Sequence, residues 1–373
     1  MVITARSVVY MNTRQTSEEL PYSTSLKEKY KLQFKEIHHL DKGDVAIAVS
    51  AALLGALIEV CMIEIPHGTH EGTKAGILPD KVRKGFEKIL PEDKMNRLAN
   101  SSICKVPFDA QHNIYTTVDV DGLSPQYHRL LSLGHDPILG LYFGTKDILN
   151  GTMTTIDKSG HIVTQIMEGC TDRTEANIFS AIAKLILHYK SDINTSMGLP
   201  APFMALFNLL QVGNIGDKDQ TIAELVQGMY YEGYDFIHFC SMSIPLMIVE
   251  VIIRLGYFLK RKSEGYSTRE SIPYSTNRNK HPKLATMLFI GHTGVTAANA
   301  VKVVFSKNPL AINYPEWIAF LRYLIPQLKW CLFSKRNTMD KYIKEMIEKE
   351  LNGISQQADI PTQESIVYRI AIE

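Results

Sequence analysis

Several features that define familiar protein classes are missing from this 373-residue chain. Forty basic residues against thirty-nine acidic ones leave almost no net charge to attract nucleic acid, so no nucleic-acid partner is expected. The five cysteines are scattered and form no Cys-x-x-Cys pair, which argues against a disulfide framework and a thiolate zinc site. The first twenty residues hold no apolar stretch of signal-peptide length. We therefore expect a reducing, cytoplasmic location.

Motifs of nucleophilic and nucleotide-binding enzymes are also missing. The chain contains no G-x-S-x-G sequence, and no cysteine lies in a recognisable catalytic context. The glycine-rich segment 66–76 (PHGTHEGTKAG) does not end in Gly-Lys-Ser/Thr, so it lacks the spacing of a phosphate-binding loop. We therefore expect neither covalent acyl transfer through these nucleophile motifs nor nucleotide binding through a phosphate-binding loop.

Long apolar segments of helical length dominate the rest of the chain. They predict a mainly α fold, a multi-helix bundle, in which residues 152–156 and 161–166 form a small β-hairpin around an Asp-Lys-Ser-Gly turn. The terminal segments 2–10 and 366–372 read as strands that would pair. We expect a helical domain over 1–260, a polar linker or surface loop over 261–282, and a C-terminal helical part over 283–373 that packs on the first.

Two of the apolar segments, 46–63 and 240–259, are about as long as a membrane-spanning helix. Glu59 lies in the first, and Pro245, Glu250 and Arg254 lie in the second, which favours buried helices in a water-soluble core. Lys260-Arg261-Lys262 follows the second directly, as the positive-inside rule requires of a span. Core helices are the simpler interpretation, and association with the inner membrane is the alternative.

The segment YHRLLSLGHDPILG, residues 127–140, concentrates titratable groups among leucines. His128 and His135 are seven residues apart, so they would share one face of a continuous helix. Neutral imidazole is a common ligand of divalent transition metals. Alternatively, His128 hydrogen-bonds a loop, while Asp136 and Pro137 begin the next helix.

The segment LHYKSDINTSMGLPAPF, residues 187–203, places His188 and Asp192 four residues apart at the end of an apolar helix. Both side chains would point the same way and could reach one cation, or the carboxylate could orient the imidazole. A plain His–Asp hydrogen bond at a helix C-terminus explains the pair equally well.

Together the two segments carry a resemblance. An HR element with a second histidine, then H-x-x-x-D leading into a Gly-Leu-Pro turn, resembles the membrane-bound metal-dependent hydrolases of the LexA-regulated inner-membrane type, a bacterial family. More distantly it is similar to the all-α zinc-dependent phospholipase C fold. The matching positions, all within residues 126–202, are His128, Arg129, His135, His188, Asp192, Thr195 and Gly198. The resemblance implies hydrolysis of a phosphoester or ester bond, with a divalent metal, most simply zinc, as cofactor.

The chain departs from the family pattern HR-x-x-T-H-S at two points. The interval from His128 to His135 is two residues longer, and Asp136 stands where the family has serine. The family's early aspartate motif has only a partial counterpart, in Asp41 and Asp44.

Two further histidines could extend the site. Asp235 and His238 are three residues apart, and His292 lies in a helix rich in small residues. If these helices bundle with the others, His238 and His292 would add to the metal ligands. Otherwise both are satisfied core residues at tight helix crossings, which is the interpretation we favour for them.

These residues suggest a mechanism. His128, His135, His188 and Asp192 would hold a zinc-like ion whose bound water is the nucleophile. Asp136 or Asp235 would be the general base, and Arg129 would stabilise charge on a phosphoryl oxygen.

The substrate would be a small-molecule or lipid-like phosphoester. The alternatives are a non-catalytic helical scaffold or membrane-associated effector with structural histidines, and an ancestral hydrolase site kept as architecture without catalysis. The sequence leaves the oligomeric state open.

Overall fold

The computed structural model describes residues 16–66, 75–114, 117–169, 171–195, 197–215 and 219–357. The predicted terminal strands, residues 2–10 and 366–372, lie outside these residues. In chain order the helices are α1 Thr16–His38, α2 Lys42–Met62, α3 Ile77–Ile89, α4 Glu92–Ala99, α5 His128–Leu131, α6 Phe143–Asn150, α7 Ile178–Asp192, α8 Ile222–Tyr231, α9 Phe236–Ser263, α10 Thr268–Ser271, α11 Leu284–Ser306, α12 Tyr314–Lys329 and α13 Lys335–Gln357. A π-helical stretch, Trp330–Ser334, joins the last two helices. The predicted mainly α class is confirmed.

The predicted hairpin is also confirmed. Strands β1 (Thr152–Ile156) and β2 (Ile162–Ile166) pair antiparallel, with Thr152 opposite Ile166. Asp157 closes the turn, because its Oδ1 accepts from the backbone N–H groups of Ser159 (3.0 Å) and His161 (2.7 Å). Gly160 supplies the positive φ of 83° that this turn needs.

Contacts divide the chain into two compact units. The first contains Met1–Val49, Ile252–Ile290 and Leu321–Glu373. In its core, Leu26 and Tyr30 of α1 pack with Ile343 and Ile347 of α13. A second feature of this unit is a group of ion pairs at the start of α2, where Lys260 and Lys283 both contact Asp41 and Asp44.

The second unit contains Ser50–Val251 and Gly291–Phe320. One of its cores lies between α6, β1 and α7, where Phe108, Ile148, Met153 and Leu185 are fully buried. Local signals fix the helix boundaries. Asn177 caps α7 by accepting from Ser180 N (3.0 Å), and Gly151, with a φ of 65°, ends α6 where the chain turns into β1. This core supports the face on which the histidines lie.

Three helices differ from the simpler sequence interpretation. The apolar parts of α2, α9 and α11 are long enough and apolar enough to cross a membrane, and only 28%, 39% and 33% of their apolar windows are buried. These helices are therefore less buried than the expected core helices, and α11 is a third candidate span beside the two that the sequence indicates. Large exposed apolar side chains, such as Leu53 on α2 and Val251 on α9, distinguish these helices from buried core helices.

Candidate metal centre

The segment around His128 is not one continuous helix. It consists of the single turn α5, a 3₁₀ turn over Leu133–His135 and another over Leu139–Leu141. The expectation that His128 and His135 share a helix face is wrong, yet their ring centroids lie 5.6 Å apart. The break between them, rather than helical periodicity, brings the two rings together.

Close packing explains the two glycines of this segment. A Cβ on Gly134 would lie 2.5 Å from the ring of Phe108, and one on Gly140 would overlap the hydroxyl of Tyr189. That hydroxyl lies 2.8 Å from the carbonyl oxygens of both Gly134 and Asp136, to which it donates. Tyr189 of α7 therefore holds the turn that carries His135 in place.

His188 and Asp192 lie in the last turn of α7, as predicted, and both are buried. The Nε2 atom of His188 is 3.4 Å from Asp192 Oδ2. His135 approaches the same carboxylate oxygen, with its Nε2 at 3.8 Å, and the ring centroids of the two histidines are 5.1 Å apart. The two predicted segments therefore form one site.

Asp109 completes the site, and sequence reasoning missed it. Its Oδ1 lies 3.1 Å from His128 Nε2 and 3.4 Å from His135 Nε2. Asp109 belongs to the loop between α4 and α5, where no helical spacing relates it to another ligand. The available signal was a carboxylate within the apolar stretch 106–110, which is otherwise almost wholly buried. Asp41 and Asp44, the expected counterparts of an early aspartate motif, pair with lysines in the other unit instead.

The hydrogen bonds of two imidazoles fix where their lone pairs point. His188 Nδ1 is 2.9 Å from the carbonyl oxygen of Cys104, and His128 Nδ1 is 2.9 Å from that of Pro125. A carbonyl can only accept, so both Nδ1 atoms carry hydrogen and, in the neutral ring, each Nε2 carries a lone pair. The lone pair of His188 faces an oxygen of Asp192, and the lone pair of His128 faces an oxygen of Asp109. A nitrogen lone pair and a carboxylate oxygen repel each other unless a positive charge lies between the two atoms.

Electrostatics agree with that requirement. Burial lowers the pKa of His135 to about 4, so its ring is neutral near pH 7 and able to act as a ligand. Burial opposes ionisation of Asp109, yet its contacts with His128 and His135 hold the pKa of that carboxyl well below its usual range. The buried atoms His135 Nε2, His188 Nε2 and Asp192 Oδ2 have no hydrogen-bond partner. Such atoms are costly unless a ligand satisfies them.

The ligand atoms are close enough to share one cation. One ligand atom each from Asp109, His135 and His188 lies within 4.8 Å of the others. In a tetrahedral zinc site, bonds of about 2.0–2.3 Å put two ligand atoms about 3.3–3.8 Å apart. A shift of at most roughly 1–1.5 Å would therefore bring the three atoms to the separations of a zinc site. The donor set of imidazole and carboxylate suits zinc and other first-row divalent ions.

The predicted catalytic side chains have other contacts. Arg129 donates to Asp192 Oδ1 (3.0 Å), Thr195 Oγ1 (2.6 Å) and Gly198 O (3.3 Å), so its guanidinium holds the carboxylate of Asp192 in place. Burial disfavours its charge, yet Asp192 holds the pKa of Arg129 above its ordinary value. Asp136 Oδ1 accepts from the N–H groups of Ile138 and Leu139, both at 2.9 Å, and so begins the next turn.

The other predicted residues have contacts with different partners. Asp235 caps α9 by accepting from His238 N (2.8 Å) and pairs with Arg83 (2.8 Å). His238 is buried against the ring of Tyr234. His292 is 2.9 Å from Glu316 through its Nδ1. No contact within the described residues joins these side chains to the group formed by Asp109, His128, His135, His188 and Asp192, called the His/Asp cluster below.

Comparisons with protein-family models, with curated proteins and with solved structures give no match to this chain. The resemblance to metal-dependent hydrolases therefore remains an expectation, and the geometry of the His/Asp cluster is the ground on which function is argued.

Proposed function

We propose that this protein is a metal-dependent hydrolase that cleaves a phosphoester or ester bond at the His/Asp cluster. The supporting observation is that His128 and His188 are each oriented by a backbone carbonyl, so that each Nε2 faces a carboxylate oxygen in a buried site. Histidines that bind metal usually donate their other ring N–H to a carbonyl or carboxylate in this way. Plain hydrogen bonding leaves the Nε2 atoms of His135 and His188 without a partner, although it accounts for the Nε2 atom of His128.

Each member of the cluster has a role in this proposal. His128, His135, His188 and the carboxylates of Asp109 and Asp192 would hold the divalent ion, most simply zinc. When bound, the ion would supply an activated water at neutral pH. Arg129 is a positioning residue, because its Nη2 atom lies 3.0 Å from Asp192 Oδ1 and holds that carboxylate in place. Asp109, whose side chain is 33% exposed while the histidines are almost fully buried, lies at the edge open to solvent. Its carboxylate would orient the bound water by accepting a hydrogen bond from it.

Neither Asp136 nor Asp235, the general bases that the sequence suggests, is directed at the His/Asp cluster. Asp136 uses one oxygen as a helix cap, and burial raises the pKa of its carboxyl. Asp235 is paired with Arg83. Neither contact leaves the carboxylate directed at the histidines, whereas Asp109 touches two of them.

The test combines metal analysis with hydrolysis assays on the detergent-purified full chain. Elemental analysis should find about one equivalent of a divalent metal, and bis-p-nitrophenyl phosphate, p-nitrophenyl phosphate and a p-nitrophenyl ester serve as probes. His188→Ala should lose both the metal and at least about 100-fold of the activity. His161→Ala is the matched control, because His161 is exposed in the hairpin turn. A metal-free preparation that keeps full activity, or an unchanged His188→Ala variant, would refute the proposal.

A non-catalytic scaffold or membrane-associated effector is the second candidate, and the exposed apolar helices α2, α9 and α11 favour it. Such a protein would remain in the membrane fraction and contain no metal. Metal binding without hydrolysis of any probe would instead indicate an ancestral site kept without catalysis. Membrane association is compatible with the hydrolase as well, and it favours a lipid-like phosphoester as substrate over a small soluble one.

A further inference from the structure

The exposed surfaces of α2, α9 and α11 have the composition of a lipid-facing surface. On α9 the side chains of Met247, Val251, Leu255 and Leu259 recur every fourth residue, and each is more than half exposed. On α11 Val304 and Phe305 are 72% and 84% exposed. The helices are about 32 Å, 42 Å and 35 Å long at 1.5 Å per residue, and a bilayer core is about 30 Å thick.

The polar groups of these helices point the opposite way. Glu59 of α2 is fully buried and accepts from Asn299 Nδ2 (2.7 Å) and Asn313 Nδ2 (2.6 Å). Close packing supports this arrangement, since a Cβ on Gly294 would lie 2.6 Å from the Cβ of Ala52. Polar side chains that bond inward at small-residue contacts, with leucines outward, are typical of helices in lipid.

Charge is distributed unequally between the two ends of these helices. The connection 264–283, between α9 and α11, contains four basic and two acidic residues, and Lys260-Arg261-Lys262 precedes it directly. At the opposite ends of α2 and α9, the flanks 63–76 and 220–235 together contain one lysine and five acidic residues. At the basic end the guanidinium of Arg261 lies 3.8 Å from the ring centroid of Tyr266. An excess of lysine and arginine marks the cytoplasmic side of a membrane, and tyrosine is enriched at both membrane interfaces.

We propose that α2, α9 and α11 cross a lipid bilayer, with the connection 264–283 on the cytoplasmic side and the His/Asp cluster on the opposite side. The orientation follows from chain connectivity. Residues 63–235 join the end of α2 to the start of α9, so they lie on the side opposite to 264–283, and every member of the cluster is among them. Long segments cross a membrane largely regardless of their own charge. The substrate would therefore be reached from outside the cytoplasm.

Cysteine accessibility in intact cells tests this orientation. In a cysteine-free full-length chain produced in a bacterial host, Thr276→Cys reports on the 264–283 connection and His161→Cys reports on the hairpin. Both residues are exposed. A membrane-impermeant maleimide should label His161→Cys in spheroplasts, and should label Thr276→Cys only after the membrane is permeabilised. Asn279→Cys and Lys158→Cys, also exposed, form a second pair if either first variant fails to accumulate.

Each other outcome would overturn the proposal. The reverse labelling pattern contradicts the orientation. Labelling of both positions before permeabilisation, or of neither, contradicts the crossing itself, as does release of the protein from membranes by alkaline carbonate. The experiment does not use metal or activity, so its result and the result of the hydrolase test are independent.

Discussion

The buried ion pair between Arg129 and Asp192 is expected to contribute strongly to the stability of the second unit. The side chains are only 11% and 2% exposed, and the atoms Nη2 and Oδ1 are 3.0 Å apart. Arg129→Met keeps much of the side-chain volume but leaves the Asp192 carboxylate buried without its cation. Breaking such a pair costs about 3–5 kcal/mol. For a unit of this size that is roughly 6–20 °C in melting temperature.

The assay is thermal unfolding of the detergent-purified protein, treated with chelator so that metal binding does not contribute. Asp192→Asn and the double variant complete the cycle, and the double variant should be more stable than the sum of the single losses predicts. The hydrogen bond from Tyr230 to Gly198 O (2.9 Å) remains in every variant, so the turn at Gly198 keeps a donor. A melting temperature for Arg129→Met within about 2 °C of the wild type, or simple additivity in the cycle, would refute the reasoning.

Three further predictions follow from the geometry. Gly140→Ala should destabilise the protein by about 1–3 kcal/mol in chemical unfolding, because the added methyl group overlaps the Tyr189 hydroxyl. The control Gly85→Ala should be neutral or slightly stabilising, because its methyl group meets nothing within 4 Å. Removing metal with a chelator should lower the melting temperature of the wild type but not of His188→Ala; an equal decrease in both would contradict the assigned ligand. Leu255→Lys should reduce the membrane-integrated fraction, since lysine in a span costs about 2.5–3.5 kcal/mol, whereas Leu32→Lys on α1 should leave it unchanged.

The parts of the fold that sequence predicted well are those governed by local rules. The hairpin follows from a turn that Asp157 and Gly160 define by themselves, and α7 follows from its apolar periodicity. His188 and Asp192 were correctly paired because four residues on a regular helix fix a direction. Sequence therefore predicts the relative position of site residues best where they lie on the same regular helix.

The remaining features depend on contacts between residues far apart in the chain. His128 and His135 meet through a broken helix that Tyr189 and Phe108 hold, and no periodicity encodes that contact. Asp109 reaches the histidines from an irregular loop, so its role becomes visible only in three dimensions. Apolar composition alone does not distinguish a buried helix from a helix with an exposed apolar face. The difference depends on which faces of the helix contact other parts of the protein.

One short loop supports two members of the His/Asp cluster at once. Cys104 provides the carbonyl that orients His188, and Asp109, five residues later, provides a carboxylate to His128 and His135. Release of this loop would remove the Asp109 carboxylate from the cluster and free the imidazole of His188 to rotate. Under the proposed function, metal affinity and docking of the loop would be thermodynamically linked, and each would strengthen the other by the same free energy. A cavity beneath Phe108, whose ring contacts His135 and His188, would then appear as weaker metal binding, although every proposed ligand was still present.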